Sequence, residues 1–244
     1  MWRQARDWEY VPKNHDPFSA LVLPNPDAPE EPSFSSEQMN TIFECAQEPY
    51  RTLFWLTGQT GIRRSEVCAL RVMDVDLYRN GDRLGQGVVT ICKKVWGGIV
   101  GPAKSRRPRV LVLSPRLTDR MREICAGKEP AALVFTNSKG GMLDPDNLVK
   151  RHLKPVLQKA GITHGAMHAF RHGIATLMDQ MNVPMKTRQD RLGHVDAKTT
   201  MGYTHSVGED EKRIARELDQ ILRADACNAE IEKAFDGSER FRIQ

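Results

Sequence analysis

The sequence has no uninterrupted apolar stretch near the length of a membrane span, and its mean hydropathy is −0.50, so membrane insertion is excluded. Nor does any apolar core of a signal sequence follow the cationic Arg3 and Arg6; the protein is expected to stay inside the cell. It also lacks any C-x-x-C pair. The five cysteines (Cys45, Cys68, Cys92, Cys125, Cys227) are odd in number and lie 23, 24, 33 and 102 residues apart, which excludes both a disulfide framework and a zinc ribbon. Internal repeats and low-complexity segments are missing as well. What remains is a 244-residue chain, 40% hydrophobic and 27% charged, long enough for one large domain or two small ones with a buried core.

The net charge of +5 is unevenly spread. Residues 1–35 carry three basic and six acidic side chains and residues 224–244 carry three and five, which leaves 30 basic against 20 acidic in between. A body of charge +10 between acidic ends suits a polyanionic partner such as nucleic acid.

Six prolines from Pro12 to Pro32 forbid a helix, so residues 12–32 read as an extended linker within a leading stretch over 1–34, with the body over 35–223 and a tail over 224–244. Ser35 or Ser36, with Glu37 and Gln38 in the next turn, caps a helix expected to reach about Gln47; a second follows from Tyr50 to about Gln59, where Gly61 breaks the chain. A short helix is expected from about Arg64 to Leu70. Val75 to Leu77, the β-branched run Gly87 to Lys93 and Arg109 to Leu113 read as a small antiparallel sheet. Helical periodicity returns from Pro115, with helices expected over 145–160, 168–181, 185–192, 197–203 and 209–223. The fold class is α+β, mainly helical, with one β insertion.

Three stretches carry chemistry. In Thr60-Gly61-Ile62-Arg63-Arg64-Ser65-Glu66 a glycine turn opens a helix, placing Arg63 where amide N–H groups also point outward, a setting that suits an oxyanion; the plain alternative is a surface arginine paired with Glu66. His164 and His168-Ala169-Phe170-Arg171-His172 gather three histidines. His168 and His172 are one helical turn apart, as metal ligands can be, but Arg171 lies beside them and Ala169 stands where a metalloprotease helix has glutamate, so no metal is assigned. An arginine one turn after a histidine suits a phosphoryl group instead. In Arg191-Leu192-Gly193-His194, Gly193 reads as a helix C-cap that puts His194 in a loop, and Tyr203-Thr204-His205 follows nine residues later.

Read together, these motifs resemble the catalytic domain of the tyrosine recombinases, the phage integrase family, over roughly residues 35–223. That family's pattern runs T-G-[LI]-R-x-S-E, a hairpin lysine, H-x-x-R, L-G-H and Y-T-H in this order. The resemblance implies a catalytic set of Arg63, Lys104, His168, Arg171, His194 and Tyr203, with Glu66 in support. Lys93 and Lys94, read as the end of the preceding strand, are alternatives to Lys104. It further implies Tyr203 as nucleophile, a 3′-phosphotyrosyl intermediate, His168 assisting removal of the tyrosine proton, Lys104 protonating the leaving 5′-oxygen, and no metal or nucleotide cofactor. Double-stranded DNA is the implied partner, a homo-oligomer (a tetramer of the full-length protein) the implied assembly, and a cytoplasmic, nucleoid-associated setting of bacterial or phage type the implied location. Arg106, Arg107 and Arg109 are the expected phosphate contacts.

Family members carry an N-terminal core-binding domain, and only about 34 residues precede the body here. A fragment, or a member without that clamp, is therefore expected, with Ala5, Trp8 and Val11 as the end of a preceding helix. The tail is expected to dock in cis or on a neighbouring protomer through Ile231 and Phe235. A type IB topoisomerase and a non-catalytic DNA-binding module are the competing readings.

Overall fold

The structure is a computed structural model that describes residues 2–11, 32–77, 86–102, 108–193 and 209–222. Residues 1–31 and 32–244 form two separate units. In the first, α1 (Trp2–Asp7) is followed by Trp8 and Tyr10, whose rings meet edge to face at 6.3 Å. Glu9 has φ +60, so the backbone has left the helix and the expected stripe of Ala5, Trp8 and Val11 does not continue along one helical face.

The second unit opens with Phe34, which is fully buried and donates its N–H to the Ala169 carbonyl at 3.1 Å. Ser35 then caps α2 (Ser36–Cys45): its hydroxyl accepts from the Gln38 N–H, and the Gln38 side chain accepts from the Ser35 N–H, a reciprocal pair that satisfies two otherwise orphaned donors. α3 (Tyr50–Thr60) is buried on every side from Thr52 onward, as befits a central helix. Thr57 and Thr60 remain compatible with that burial because they return their hydroxyls to the carbonyls of Leu53 and Leu56. α4 (Arg64–Val67) is a single turn, shorter than expected.

The β insertion contains two sheets. β1 (Val75–Asp76), β2 (Val88–Ile91) and β5 (Arg109–Val112) form an antiparallel sheet in the order β1-β2-β5, with Val89 opposite both Val75 and Leu111. Between β2 and β5 rises a separate hairpin of β3 (Lys93–Trp96) and β4 (Ile99–Pro102). Its turn is Gly97-Gly98 with φ +57 and +77, the pair of left-handed residues that a two-residue hairpin with native twist requires. Lys93 and Lys94 therefore begin a strand; they do not end β2 as expected.

α5 (Pro115–Cys125) is capped by Ser114. The expected helix over 145–160 is continuous but not uniform, running as α6 (Pro145–Asn147), a π-helical stretch (Leu148–Leu153) and α7 (Lys154–Lys159). α8 (Met167–Gln180) and α9 (Met185–Leu192) follow, and α10 (Glu209–Ile221) closes the described chain. The expected helix over 197–203 and the tail over 224–244 lie outside the described residues.

Phe170 of α8 meets Phe34, Phe43 and Phe54 at centroid distances of 4.9, 6.2 and 6.0 Å, joining α2, α3 and α8 into one apolar centre. Gly173 makes this approach possible, since a Cβ there would stand 2.2 Å from the Phe34 carbonyl oxygen. α10 adds Ile214 and Leu218, and Leu222 follows just beyond it, all fully buried. Among the described residues no helix is long and apolar enough to cross a membrane.

Candidate active site

The site grows from the end of α3. Gly61 leaves that helix in the left-handed conformation, φ +65 and ψ +21, and its N–H closes on the Thr57 carbonyl. A side chain is excluded there for a second reason: a Cβ would lie 2.7 Å from Leu192 and 3.2 Å from Ile174. The turn is thus pressed against both α8 and α9, and Arg63 leaves it beside them.

Arg63 donates from Nη1 to Glu66 Oε1 at 3.1 Å and from Nη2 to the Gly193 carbonyl at 3.3 Å, while its own N–H reaches Glu66 Oε2 at 2.9 Å. Its side chain keeps 22% exposure. The i,i+3 pairing expected of a plain surface arginine is present, but Glu66 is itself buried. The helix that this turn opens, α4, is a single turn, and Glu66 accepts the N–H of Arg63 just before it.

Arg171 comes from α8 and is 4% exposed. Its Nη1 donates to the Gly61 carbonyl at 2.7 Å and its Nη2 to the Leu192 carbonyl. Burial, then the facing charges of Arg63 and Arg109, pull its pKa down to about 9, against the opposing influence of Glu66. His168 stands exposed one turn earlier on α8, its ring 5.3 Å from that of His172. Among the described residues no three His, Cys, Asp or Glu side chains gather as a metal site.

Arg109 departs from expectation. Rather than facing solvent toward phosphates, it is 8% exposed and forks onto Glu66, Nη1 to Oε1 at 3.2 Å and Nη2 to Oε2 at 2.6 Å. The signal was present in the strand itself, because period two puts Arg109 on the same face as the buried Leu111 and Leu113. Burial raises the Glu66 carboxyl, but the Arg109 fork, together with the N–H and charge of Arg63, outweighs it and holds the group below its ordinary value. Glu66 therefore orients two arginines at once. Gly193, left-handed at φ +64, caps α9 as expected and packs on Arg109, with a hypothetical Cβ only 2.9 Å from Nη1.

The structure thus brings Arg63, Glu66, Arg171 and Arg109 together around the carbonyls of residues 192 and 193. Lys104, Arg106, Arg107, His194 and Tyr203 lie outside the described residues. Of the alternatives to Lys104, Lys93 is engaged, its Nζ 3.6 Å from Asp74. Arg191 received no role from the sequence, yet its side chain is fully buried, bonded to Glu211 and to the Gln59 carbonyl.

Residues 32–209 match the family model described as the phage integrase family. The chain belongs to the phage integrase family. Among its relatives are a tyrosine recombinase XerC-like protein of Caldanaerobacter subterraneus subsp. tengcongensis, 28% identical over 247 residues covering 89% of this chain, and the tyrosine recombinase XerC of Bacillus subtilis, 29% identical over 199 residues covering 78%. This family member spans 62% of the length of each of those two proteins. The solved structure of the Tn1549 transposon integrase in complex with transposon right end DNA superposes with a TM-score of 0.61 at 16% identity, covering 96% of this chain and 75% of that one. The fold is accordingly that of a tyrosine recombinase catalytic domain.

Proposed function

We propose that this chain is the catalytic half of a site-specific recombinase, which cleaves and rejoins duplex DNA through a transient 3′-phosphotyrosyl bond at Tyr203. One observation carries the reading: Arg63 and Arg171, from two different elements, converge on the carbonyls of Gly193 and Leu192, immediately before His194. Two guanidinium forks at one point suit the paired non-bridging oxygens of a phosphodiester as negative charge builds on them. Attack by the Tyr203 hydroxyl forms the O–P bond and breaks the bond from phosphorus to the 5′-oxygen. The tyrosine proton passes toward His168, and Lys104 supplies a proton to the leaving oxygen. Because the phosphoryl bond is exchanged rather than hydrolysed, rejoining needs no nucleotide. The +10 body provides the matching charge for DNA. Assembly into a homo-oligomer on DNA and a cytoplasmic, nucleoid-associated setting belong to the same proposal.

The test is covalent capture on a nicked suicide duplex, selected from a randomised pool by the wild-type chain, with divalent metal chelated. Wild type is expected to give a protease-sensitive adduct. Arg63→Lys and Arg171→Lys keep the charge but lose the planar fork, and are expected to raise the cleavage barrier by about 2–4 kcal/mol while DNA affinity changes far less. Wild-type cleavage in either variant would remove that arginine from the site.

A further inference from the structure

The pair of Arg191, fully buried, and Glu211, half-buried, joins the two elements on either side of the residues that include Tyr203. Arg191 lies in the last turn of α9 and Glu211 in the first turn of α10, twenty positions later. The Arg191 side chain has no exposure, and its second fork nitrogen donates to the Gln59 carbonyl at 2.9 Å, one turn before Arg63. Glu211 also accepts from the Val112 N–H at 3.4 Å, which ties the pair to β5. The carbonyls of the next two residues, Leu192 and Gly193, are those held by Arg171 and Arg63.

A charge pair is an unusual choice for holding a helix in place. Apolar residues of similar volume would stabilise a buried contact as well or better, because desolvating two ions offsets most of their attraction. α10 already has such residues, since Ile214, Ala215 and Leu218 are fully buried. An apolar stripe that repeats every three or four residues has one weakness: a slip by one helical turn, about 5.4 Å, presents nearly the same face. A misplacement of about 1 Å at a reacting group already costs on the order of a hundredfold in rate. A directional fork does not survive such a slip. Ser114 Oγ with Asp219 at 2.6 Å and Gln86 Nε2 with the Lys212 carbonyl at 3.2 Å fix the same register further along α10.

We propose that Arg191 and Glu211 are positioning residues that lock the register of α10, the helix that begins six residues after Tyr203, and that tyrosyl cleavage depends on that register. The proposal rests on the reading of Tyr203 as nucleophile. From Glu209 back to Tyr203 there are six residues, at most about 20 Å of chain, so a displacement of α10 bears directly on the nucleophile.

Two nucleophiles separate this role from a merely structural one. On the captured nicked duplex, Glu211→Gln is expected to slow tyrosyl adduct formation by about ten- to a hundredfold. In a Tyr203→Phe background, hydrogen peroxide serves instead: the hydroperoxide oxygen bonds to phosphorus, the bond to the 5′-oxygen breaks, and the peroxide proton ends on that oxygen. This cleavage uses the arginines without the tyrosine, and adding Glu211→Gln is expected to leave it unchanged. The double variant Arg191→Leu, Glu211→Leu is expected to match or exceed wild-type thermal stability and still cleave slowly through Tyr203. Equal loss with both nucleophiles, no loss with either, or wild-type tyrosyl cleavage in the double leucine variant would overturn the positioning role. No adduct from the wild-type chain where peroxide cleaves would instead overturn the reading of Tyr203, and with it this proposal.

Discussion

Glu66 is the residue on which the arginine geometry depends. Its carboxylate faces the Arg109 fork at 2.6 and 3.2 Å and Arg63 at 3.1 Å, so removing Arg109 leaves a buried anion with half its partners. Arg109→Ala is expected to lower stability by about 3–5 kcal/mol in chemical denaturation, the range for breaking a buried pair from one side. The same pair is acid-sensitive. Because the folded Glu66 sits below its ordinary value of 4.5, its contribution to stability is complete above that value and lost as pH falls through the lowered one. Thermal melts of wild type should therefore fall on acidification more steeply than those of Glu66→Gln, which has no proton to bind; parallel curves would show that Glu66 is not held ionised. The role of Arg109 as an organiser was legible only from strand parity, and a run of basic residues, Arg106-Arg107-Pro108-Arg109, hid it behind the simpler reading of a phosphate-binding surface.

At the scale of elements, most of the helices and all three strands of the larger sheet could be read from caps and periodicity. Ser35 and Gln38 mark the start of α2 by their own hydrogen bonds, and Gly61 and Gly193 end α3 and α9 because only glycine takes those left-handed angles without strain. The hairpin of β3 and β4 was missed although Gly97-Gly98 is a strong two-residue turn, because GVVTICK reads as one strand and the break at Cys92 has no local signal. The π-helical stretch over Leu148–Leu153 is likewise invisible in composition. What sequence periodicity cannot supply is the closeness of packing. Gly173 lies mid-helix, where glycine is unfavourable by itself, and the structure gives the reason in the Phe34 carbonyl at 2.2 Å and the Met39 methyl at 2.3 Å from a hypothetical Cβ. Gly173→Ala, normally a helix-favouring change, is expected here to destabilise by about 1–3 kcal/mol, because a backbone oxygen cannot move aside as a side chain does. A stabilised variant would show that α8 can retreat from the opening segment.

For the whole molecule, the charge of +10 on the body leads to a salt experiment. DNA affinity should fall by about 0.9 in log units per log unit of salt for each phosphate contact. Replacing Arg106 and Arg107 together is expected to flatten that slope by about two contacts at constant fold stability, whereas Arg109→Ala should act through stability. An unchanged slope in the double variant would place the phosphate contacts elsewhere on the +10 body. The family is shown by residues 32–209, and among the described residues Arg63 and Arg171 converge on the carbonyls of Gly193 and Leu192. The chemistry rests on the nucleophile. The chain contains four tyrosines, Tyr10, Tyr50, Tyr78 and Tyr203, so the assignment is open to direct mapping. The decisive measurement is proteolysis of the DNA adduct trapped without divalent metal, followed by mass spectrometric identification of the residue that carries the nucleotide. The account predicts a phosphotyrosyl peptide at Tyr203 and no adduct from Tyr203→Phe; a nucleotide on any other residue, or an adduct that persists in that variant, would contradict it.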